Sequence, residues 1–464
     1  MSRRFGVRNT LLFGLGVFVL AGCGTQEQKS APLSALSAPR TYIVSSATAL
    51  PGDFSGFVKA QGDTLRAFKP EAGFASVTTS NPKAYRRFAD VVVEDVRLER
   101  NLPKVAPVAG PSLDVGNPPN SGDDDTRFNL QWGHDAVNAP EAWNAGVRGK
   151  GVVVAVLDGG FSLNHPDIAP NVAGWADMTG EGIAYGPNPD DPTGIFSHGM
   201  HVAGTIAAVD NGLGTIGVAP EAKLLLVKVL FNVGSGSFED VLEGIYYAAD
   251  YGVDVINMSL GADIPQGSGK GSNEIAELRK AMNRAIGYAY QKGATVIVAA
   301  GNDGRDLDKD RSTTVFPAQM PHAISISATA PIGWAKAPAT TFLDNLASYS
   351  NYGQSGVDFS APGGDSSYPG NENCTLAGLT RPCWVFDLVF STGAVVGPSA
   401  FYYWSAGTSM AAPHAAGVAA LIISEKGGEL HPAQVKAELA ARAADLGKPG
   451  NDPVYGAGAI RSGY

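Results

Sequence analysis

Gly151-Val152-Val153-Val154-Ala155-Val156-Leu157-Asp158 is an unbroken apolar run of strand length that ends in a carboxylate and is followed by Gly159-Gly160. Hydrophobicity without polar alternation predicts a strand buried on both faces, as in a parallel sheet covered by helices. Runs of the same kind recur at Leu224–Leu230, Val253–Asn257, Thr295–Ala299 and Ala323–Ser327. Helical segments are predicted at Phe238–Asp250, at Asn273–Gln291 ahead of Gly293, at Ser409–Lys426 ahead of Gly427, and at Pro432–Ala444. Strands that alternate with helices predict an α/β domain with a three-layer, parallel-sheet architecture. It occupies residues 128–464, and no internal repeat is visible.

The remaining sequence divides by composition. Arg3, Arg4 and Arg8 precede an apolar stretch, Thr10–Leu20, too short to span a bilayer, so residues 1–22 read as an export signal. Leu20-Ala21-Gly22-Cys23 resembles a bacterial lipoprotein box, which implies lipid on Cys23 and membrane contact through that lipid alone; an ordinary signal with an incidental Cys is the alternative. Residues 23–40 are small and polar and read as a tether. Residues 41–100 form a small α+β domain, with strand character at Tyr42–Ser45, a short helix at Asn81–Phe88 and a β-branched strand at Ala89–Val96. Pro, Gly and Asn recur through residues 101–127, with Asp123, Asp124 and Asp125 in succession, and mark a linker.

Composition excludes several classes. With 44% hydrophobic and 17% charged residues the chain is not mainly disordered, and 3 Cys do not build a disulfide scaffold. An excess of 44 acidic over 34 basic residues disfavours nucleic acid as a partner. With Cys23 lipidated, Cys374 and Cys383 are an even pair on the oxidising side of a membrane. A disulfide there, worth about 2–3 kcal/mol, would brace a local insertion; two buried thiols are the alternative.

In parallel sheets, chemistry collects beyond the carboxyl ends of the strands. Asp158 stands at such an end, although alone it reads equally as a turn or cap residue. His198 and His201, in Ser197-His198-Gly199-Met200-His201, have a helical metal-binding spacing, but no carboxylate or Cys completes a recognisable set. Gly407-Thr408-Ser409-Met410-Ala411-Ala412-Pro413-His414 places a Ser at a helix start, with Pro413 expected in the first turn.

Together these segments resemble the subtilisin-like serine proteases over roughly Trp132–Tyr464, and Ala299-Ala300-Gly301-Asn302 is similar to that family's oxyanion-hole segment. The resemblance implies an endopeptidase in which Ser409 is the nucleophile, His198 the general base, Asp158 the orienting acid, and Asn302 with the Ser409 N–H the oxyanion donors. His201 would be structural. An α/β-hydrolase esterase does not fit, because Ala411 replaces the last Gly of Gly-x-Ser-x-Gly and both acid and base precede Ser409. A catalytically weak or inactive peptide-binding lipoprotein is the other reading, since Gly159 and Met200 stand where the family usually has a hydroxyl residue.

The same resemblance assigns peptide-pairing segments to Gly234-Ser235-Gly236 and Ser259-Leu260-Gly261. It assigns Phe238 to the pocket filled four residues before the cleaved bond and Val315 to the floor of the primary pocket, with ordinary core packing as the alternative for both. The chemistry requires no cofactor. A structural calcium is implied at Asp167 and Asn211, the site's N-terminal ligand has no match, and an Asx turn is the alternative at Asn211. Asp190-Asp191 is expected in a solvated loop. The domain at 41–100, through Phe88–Glu94, resembles a subtilase propeptide that assists folding and inhibits. Its removal by cleavage between Asn101 and Arg127 would convert an anchored zymogen into a monomeric protease, released outside the cell and acting on peptides.

Overall fold

The computed structural model describes residues 38–99, the backbone of 107–108, and residues 124–265 and 272–464. The export signal, Cys23, and most of the tether and linker lie outside the described residues. No helix among the described residues is long and apolar enough to cross a membrane.

The small domain comprises β1 (Arg40–Ser45), α1 (Phe54–Ala60), β2 (Thr64–Lys69), β3 (Phe74–Thr79), β4 (Val91–Glu94) and β5 (Arg97–Glu99), and β6 (Pro107–Val108) follows it. The large domain opens with α2 (Trp132–Ala136) and α3 (Ala139–Asn144), then β7 (Val153–Gly159), β8 (Val172–Asp177), α4 (His198–Ala207), β9 (Lys223–Leu230), β10 (Ser235–Ser237) and α5 (Phe238–Tyr251). Next come β11 (Val255–Met258), β12 (Ala262–Pro265), α6 (Ser272–Gln291), β13 (Thr295–Ala299), β14 (Thr313–Phe316), β15 (Ala323–Ala330), β16 (Asn345–Leu346) and β17 (Phe359–Pro362). The chain closes with β18 (Asn373–Leu376), β19 (Leu379–Pro382), β20 (Val389–Val396), β21 (Ser399–Ser405), α7 (Thr408–Glu425) and α8 (Pro432–Arg442).

The main sheet has the order β16-β15-β13-β11-β7-β9-β8, with β17 also pairing β15, and every pair except β15–β16 is parallel. Strand pleating explains the unbroken apolar runs. Val154 and Val156 enter the cluster that contains Met200 of α4, Met410 of α7 and Val435 of α8. Ala155 and Leu157 point the other way, into the cluster of Ile245 on α5 and Met282 on α6. Both faces are dry, so no polar alternation survives in the sequence. The chain builds β8 and β9 on one side of β7 and then reverses to β11, β13 and β15 on the other, which opens a crevice at the carboxyl ends of β7 and β11.

Two sequence expectations shift. Asn81–Phe88 is a 3₁₀ turn over Pro82–Arg87, and the strand expected at Ala89–Val96 is confined to β4. The linker also ends earlier than residue 127. Asp125 and Arg127 are buried, the Arg127 N–H donates to the Gly214 carbonyl at 2.7 Å, and Asp125 Oδ1 accepts from Leu213 N at 3.1 Å.

The small domain is an antiparallel sheet of order β2-β3-β1-β4. Val44 and Val92 face α1, through Phe54 and Val58, while Ile43, Val91 and Val93 face the cluster of α5 and α6. Ion pairs surround this apolar contact: Arg66–Glu239 at 3.0 Å, Arg86–Glu277 at 2.7 Å and Arg284–Asp90 at 2.8 Å. At its edge the small domain caps α5, because Phe238 N donates to the Val96 carbonyl at 2.9 Å and Glu239 N to Asp95 Oδ1 at 2.8 Å. Burial pushes the carboxyl of Asp95 up to about 6 and that of Asp240 up to about 7, and the Glu239 charge adds to both shifts.

A raised folded-state pKa contributes stability that is complete below the unfolded value near 4 and is lost as pH rises through 6 to 7. Asp240→Asn, neutral throughout, is therefore expected to match the unsubstituted protein at pH 4 and to exceed it by roughly 1–3 kcal/mol at pH 8. Thermal denaturation across this range checks the slope, and parallel curves would refute it.

Candidate active site

Asp158 is the penultimate residue of β7 and is 0% exposed; its Oδ1 accepts the Gly159 N–H at 2.7 Å. Ser197 N-caps α4 by accepting from Met200 N at 3.2 Å, and its hydroxyl donates to the Gly160 carbonyl at 2.7 Å. This double use of one hydroxyl fixes the head of α4 to the turn after β7. His198, the first helical residue, thereby places Nδ1 2.8 Å from both Oδ1 and Oδ2 of Asp158. A carboxylate only accepts, so Nδ1 carries the proton and Nε2 keeps its lone pair. Met200 is buried, and its Sδ accepts from Ser162 N at 3.2 Å. His201 Nε2 meets the Val389 carbonyl at 3.1 Å, and burial lowers its pKa to about 3. The two histidines face different partners and are not a metal pair.

Ser409 is the second residue of α7, a helix buried on all sides from Thr408 to Ile423. Pro413 lies in the second turn, not the first as the sequence suggested, and its missing N–H leaves the Ser409 carbonyl without its i+4 donor. Ser259 fills that gap. Its Oγ donates to the Ser409 carbonyl at 2.7 Å and accepts from Asn257 Nδ2 at 3.0 Å, while Ser409 Oγ donates to the Ser259 carbonyl at 3.1 Å. The helix break thus ties the head of α7 to the segment after β11.

Asn302, just past β13, is held by Thr408. Asn302 Oδ1 accepts from Thr408 N at 2.8 Å and Thr408 Oγ1 at 2.9 Å, and Thr408 Oγ1 accepts from Gly301 N at 3.1 Å. Since a backbone N–H can only donate, the amide oxygen is fixed toward Thr408. Asn302 and Ser409 line one cavity of about 210 Å³ together with Leu260, Gly261 and Val315. Of Gly234-Ser235-Gly236, the last two residues are already paired: β5 lies antiparallel on β10, with Leu98 opposite Gly236 and Glu99 opposite Ser235. Leu98 is buried in the apolar cluster that contains Phe238, so Phe238 packs in the core and does not line the cavity beside Ser409.

The oxygen-rich site holds more carboxylates than the sequence reading gave it. Carboxylate oxygens of Asp124, Asp125 and Asp210 lie within 4.8 Å of one another. Asp167 anchors the same loop through Oδ2, which accepts from Thr215 N at 3.0 Å, while its buried Oδ1 has no hydrogen-bond partner among the described residues. Burial pushes Asp167 up to about 7. This donor set fits a hard cation such as calcium. Asn211 Oδ1 accepts from Leu213 N at 2.8 Å, which is the Asx turn. Asp124 and Asp125 were hidden because their Pro- and Gly-rich context reads as linker. Asp191 is a further correction: it is buried, not solvated, and organises its loop by accepting from Thr193 Oγ1, Gly194 N and Phe196 N. Cys374 and Cys383 form a disulfide between the ends of the β18–β19 hairpin.

The sequence profile of the Subtilase family matches residues 149–458. M-protease of Shouchella clausii (strain KSM-K16) is 35% identical over 335 residues, 72% of this chain and 69% of its own. Subtilisin Savinase of Lederbergia lenta is 34% identical over 335 residues, 72% of this chain and 97% of its own. Among solved structures, the epidermin leader peptide processing serine protease of Staphylococcus aureus superposes with a TM-score of 0.68 at 22% identity, covering 92% of this chain and 97% of that one, a likeness of fold. The chain belongs to the subtilase family. It is a serine-type endopeptidase of subtilisin-like α/β fold.

Removing the Ser259 hydroxyl strands the Ser409 carbonyl in a buried helix. Ser259→Ala, made in a Ser409→Ala background to prevent self-digestion, should cost about 1–3 kcal/mol in urea denaturation. An unchanged midpoint would show that the Pro413 break is satisfied in another way.

Proposed function

We propose that the protein is an exported endopeptidase made as an inhibited precursor, cutting peptide bonds with Asp158, His198 and Ser409. The observation that carries this reading is the buried His198–Asp158 contact at 2.8 Å, which fixes the imidazole tautomer a general base requires. In the reaction, Ser409 Oγ turns from the Ser259 carbonyl to His198 Nε2, loses its proton there and attacks the scissile carbonyl. Asn302 Nδ2, directed away from Thr408, and the Ser409 N–H hold the oxyanion. His198 then protonates the leaving amine, and water hydrolyses the acyl-enzyme through the same base.

The Gly159 and Met200 departures are compatible with activity. The Gly159 backbone N–H supplies Asp158 with a donor, and Met200 fills its site without displacing His198. Substrate adds as a strand along Gly234-Ser235-Gly236 and Ser259-Leu260-Gly261, with Val315 giving the primary pocket a shallow apolar floor.

The small domain acts as the intramolecular inhibitor by laying β5 on the strand that substrate would use. If the pocket at Phe238 receives the residue four positions before the cleaved bond, Leu98 fills it, and the bond cut in maturation is Asn101–Leu102. Lipid at Cys23 would then stay with the propeptide, and the catalytic domain would leave the membrane as a monomer.

Purified wild type and Ser409→Ala, incubated with casein and a fluorophosphonate probe, test the reading. Wild type is expected to label, digest casein and acquire Leu102 as its N-terminus, while Ser409→Ala does none of these. A wild type that neither labels nor cleaves after removal of the small domain would support the peptide-binding alternative. A different N-terminus would refute only the assigned bond.

Asp124, Asp125, Asp167 and Asp210 would hold a structural calcium that clamps residues 124–127 to the loop at 209–215. It takes no part in the chemistry. At a hundredfold excess over its dissociation constant such an ion stabilises by about 2.7 kcal/mol. Chelation should therefore lower the melting temperature of the wild type, and Asp125→Asn should melt at the lower value with or without calcium. Melting of the wild type indifferent to chelator would remove the ion from this account.

A further inference from the structure

We propose that Arg305 is a specificity-positioning residue that sets the charge of the cavity beside Ser409, and so decides whether a cationic side chain is accepted before the cleaved bond. This rests on the peptidase reading above. The cavity walls are apolar at Leu260, Ala299 and Val315, and their charged members are Asp263 and Asp303. Asp263 stands on β12 opposite Val315 on β14, so a carboxylate and the apolar floor share one ribbon.

Arg305 lies outside the cavity lining and pairs with this ribbon. Its Nη2 pairs with Asp263 Oδ1 and lies 3.7 Å from Asp303 Oδ2, and its Nη1 donates to Thr313 Oγ1 on β14. The guanidinium side chain is 16% exposed, against 36% for Asp263 and 44% for Asp303. The two carboxylates that line the cavity are thus more open to solvent than the guanidinium they share, which is not part of the lining. Its Nη1 also lies 3.8 Å from Asp310 Oδ2, so with Arg305 in place the cluster of three carboxylates, two of them on the rim, carries two net negative charges; without it, three.

An apolar sleeve with an acidic rim suits a lysine, whose methylene stem lies against the walls while its ammonium reaches the rim. Neutralising one carboxylate weakens that option and leaves small and aliphatic side chains favoured. The effect is electrostatic, so salt must screen it.

Peptides identical except for Ala, Lys or Glu before the cut, assayed by kcat/KM with active sites counted by fluorophosphonate labelling, test the proposal. Arg305→Gln is expected to raise the Lys-to-Ala ratio about tenfold at low salt, a difference that shrinks at high salt, while Arg305→Lys keeps the wild-type ratio. Asp263→Asn is expected to move the ratio the other way and to favour Glu, which keeps the test decisive if Arg305→Gln does not fold. An unchanged ratio in the folded Arg305→Gln enzyme or in Asp263→Asn, an equal change in Arg305→Lys, or indifference to salt would each overturn it. A wild type that labels and cleaves nothing would instead defeat the peptidase reading.

Discussion

The position of β7 between two parallel neighbours is the constraint on which the rest depends. Paired with β9 on one side and β11 on the other, its backbone is held from Val153 to the turn after Asp158, and its side chains are consumed by the two helical layers. A carboxylate at the end of such a strand has no freedom to move. The carboxylate of the candidate site is therefore carried by a strand held on both edges and packed on both faces, and the heads of two helices are brought to it.

Two helices are brought by their heads, each through a hydroxyl that serves two masters. Ser197 caps α4 and holds the turn at Gly160, while Ser259 fills the gap in α7 left by Pro413 and is itself positioned by Asn257. A proline that would ordinarily weaken a helix here leaves an acceptor open, and that acceptor fixes Ser409 to the segment after β11. Thr408 does the same for the oxyanion amide. Catalytic geometry in this fold is thus maintained by short polar bonds inside a dry core, where an unmade bond is costly.

Much of this was legible in the sequence. The five apolar runs and four long helices were visible because a parallel sheet dry on both faces leaves uninterrupted hydrophobic segments. The residues of the site could be named because each sits beside a glycine or a helix start. What stayed hidden were the partners that depend on distant segments: Ser259 against Ser409, Thr408 against Asn302, and Asp95 against the head of α5. Asp124 and Asp125 were masked by a Pro- and Gly-rich neighbourhood, and Asp190-Asp191 by its polarity, although Asp191 is buried.

The sequence by itself determined the layers, the candidate acid, base and nucleophile with their order along the chain, and the two cysteines available to pair. Those depend on local composition and on which residue types occur. Only the tertiary structure decided that β5 lies on β10, that Pro413 falls in the second turn with its acceptor satisfied by Ser259, and that four aspartates from three segments share one loop system. Each of these is a contact between residues far apart in the chain, and nothing in local periodicity encodes which distant partner closes it.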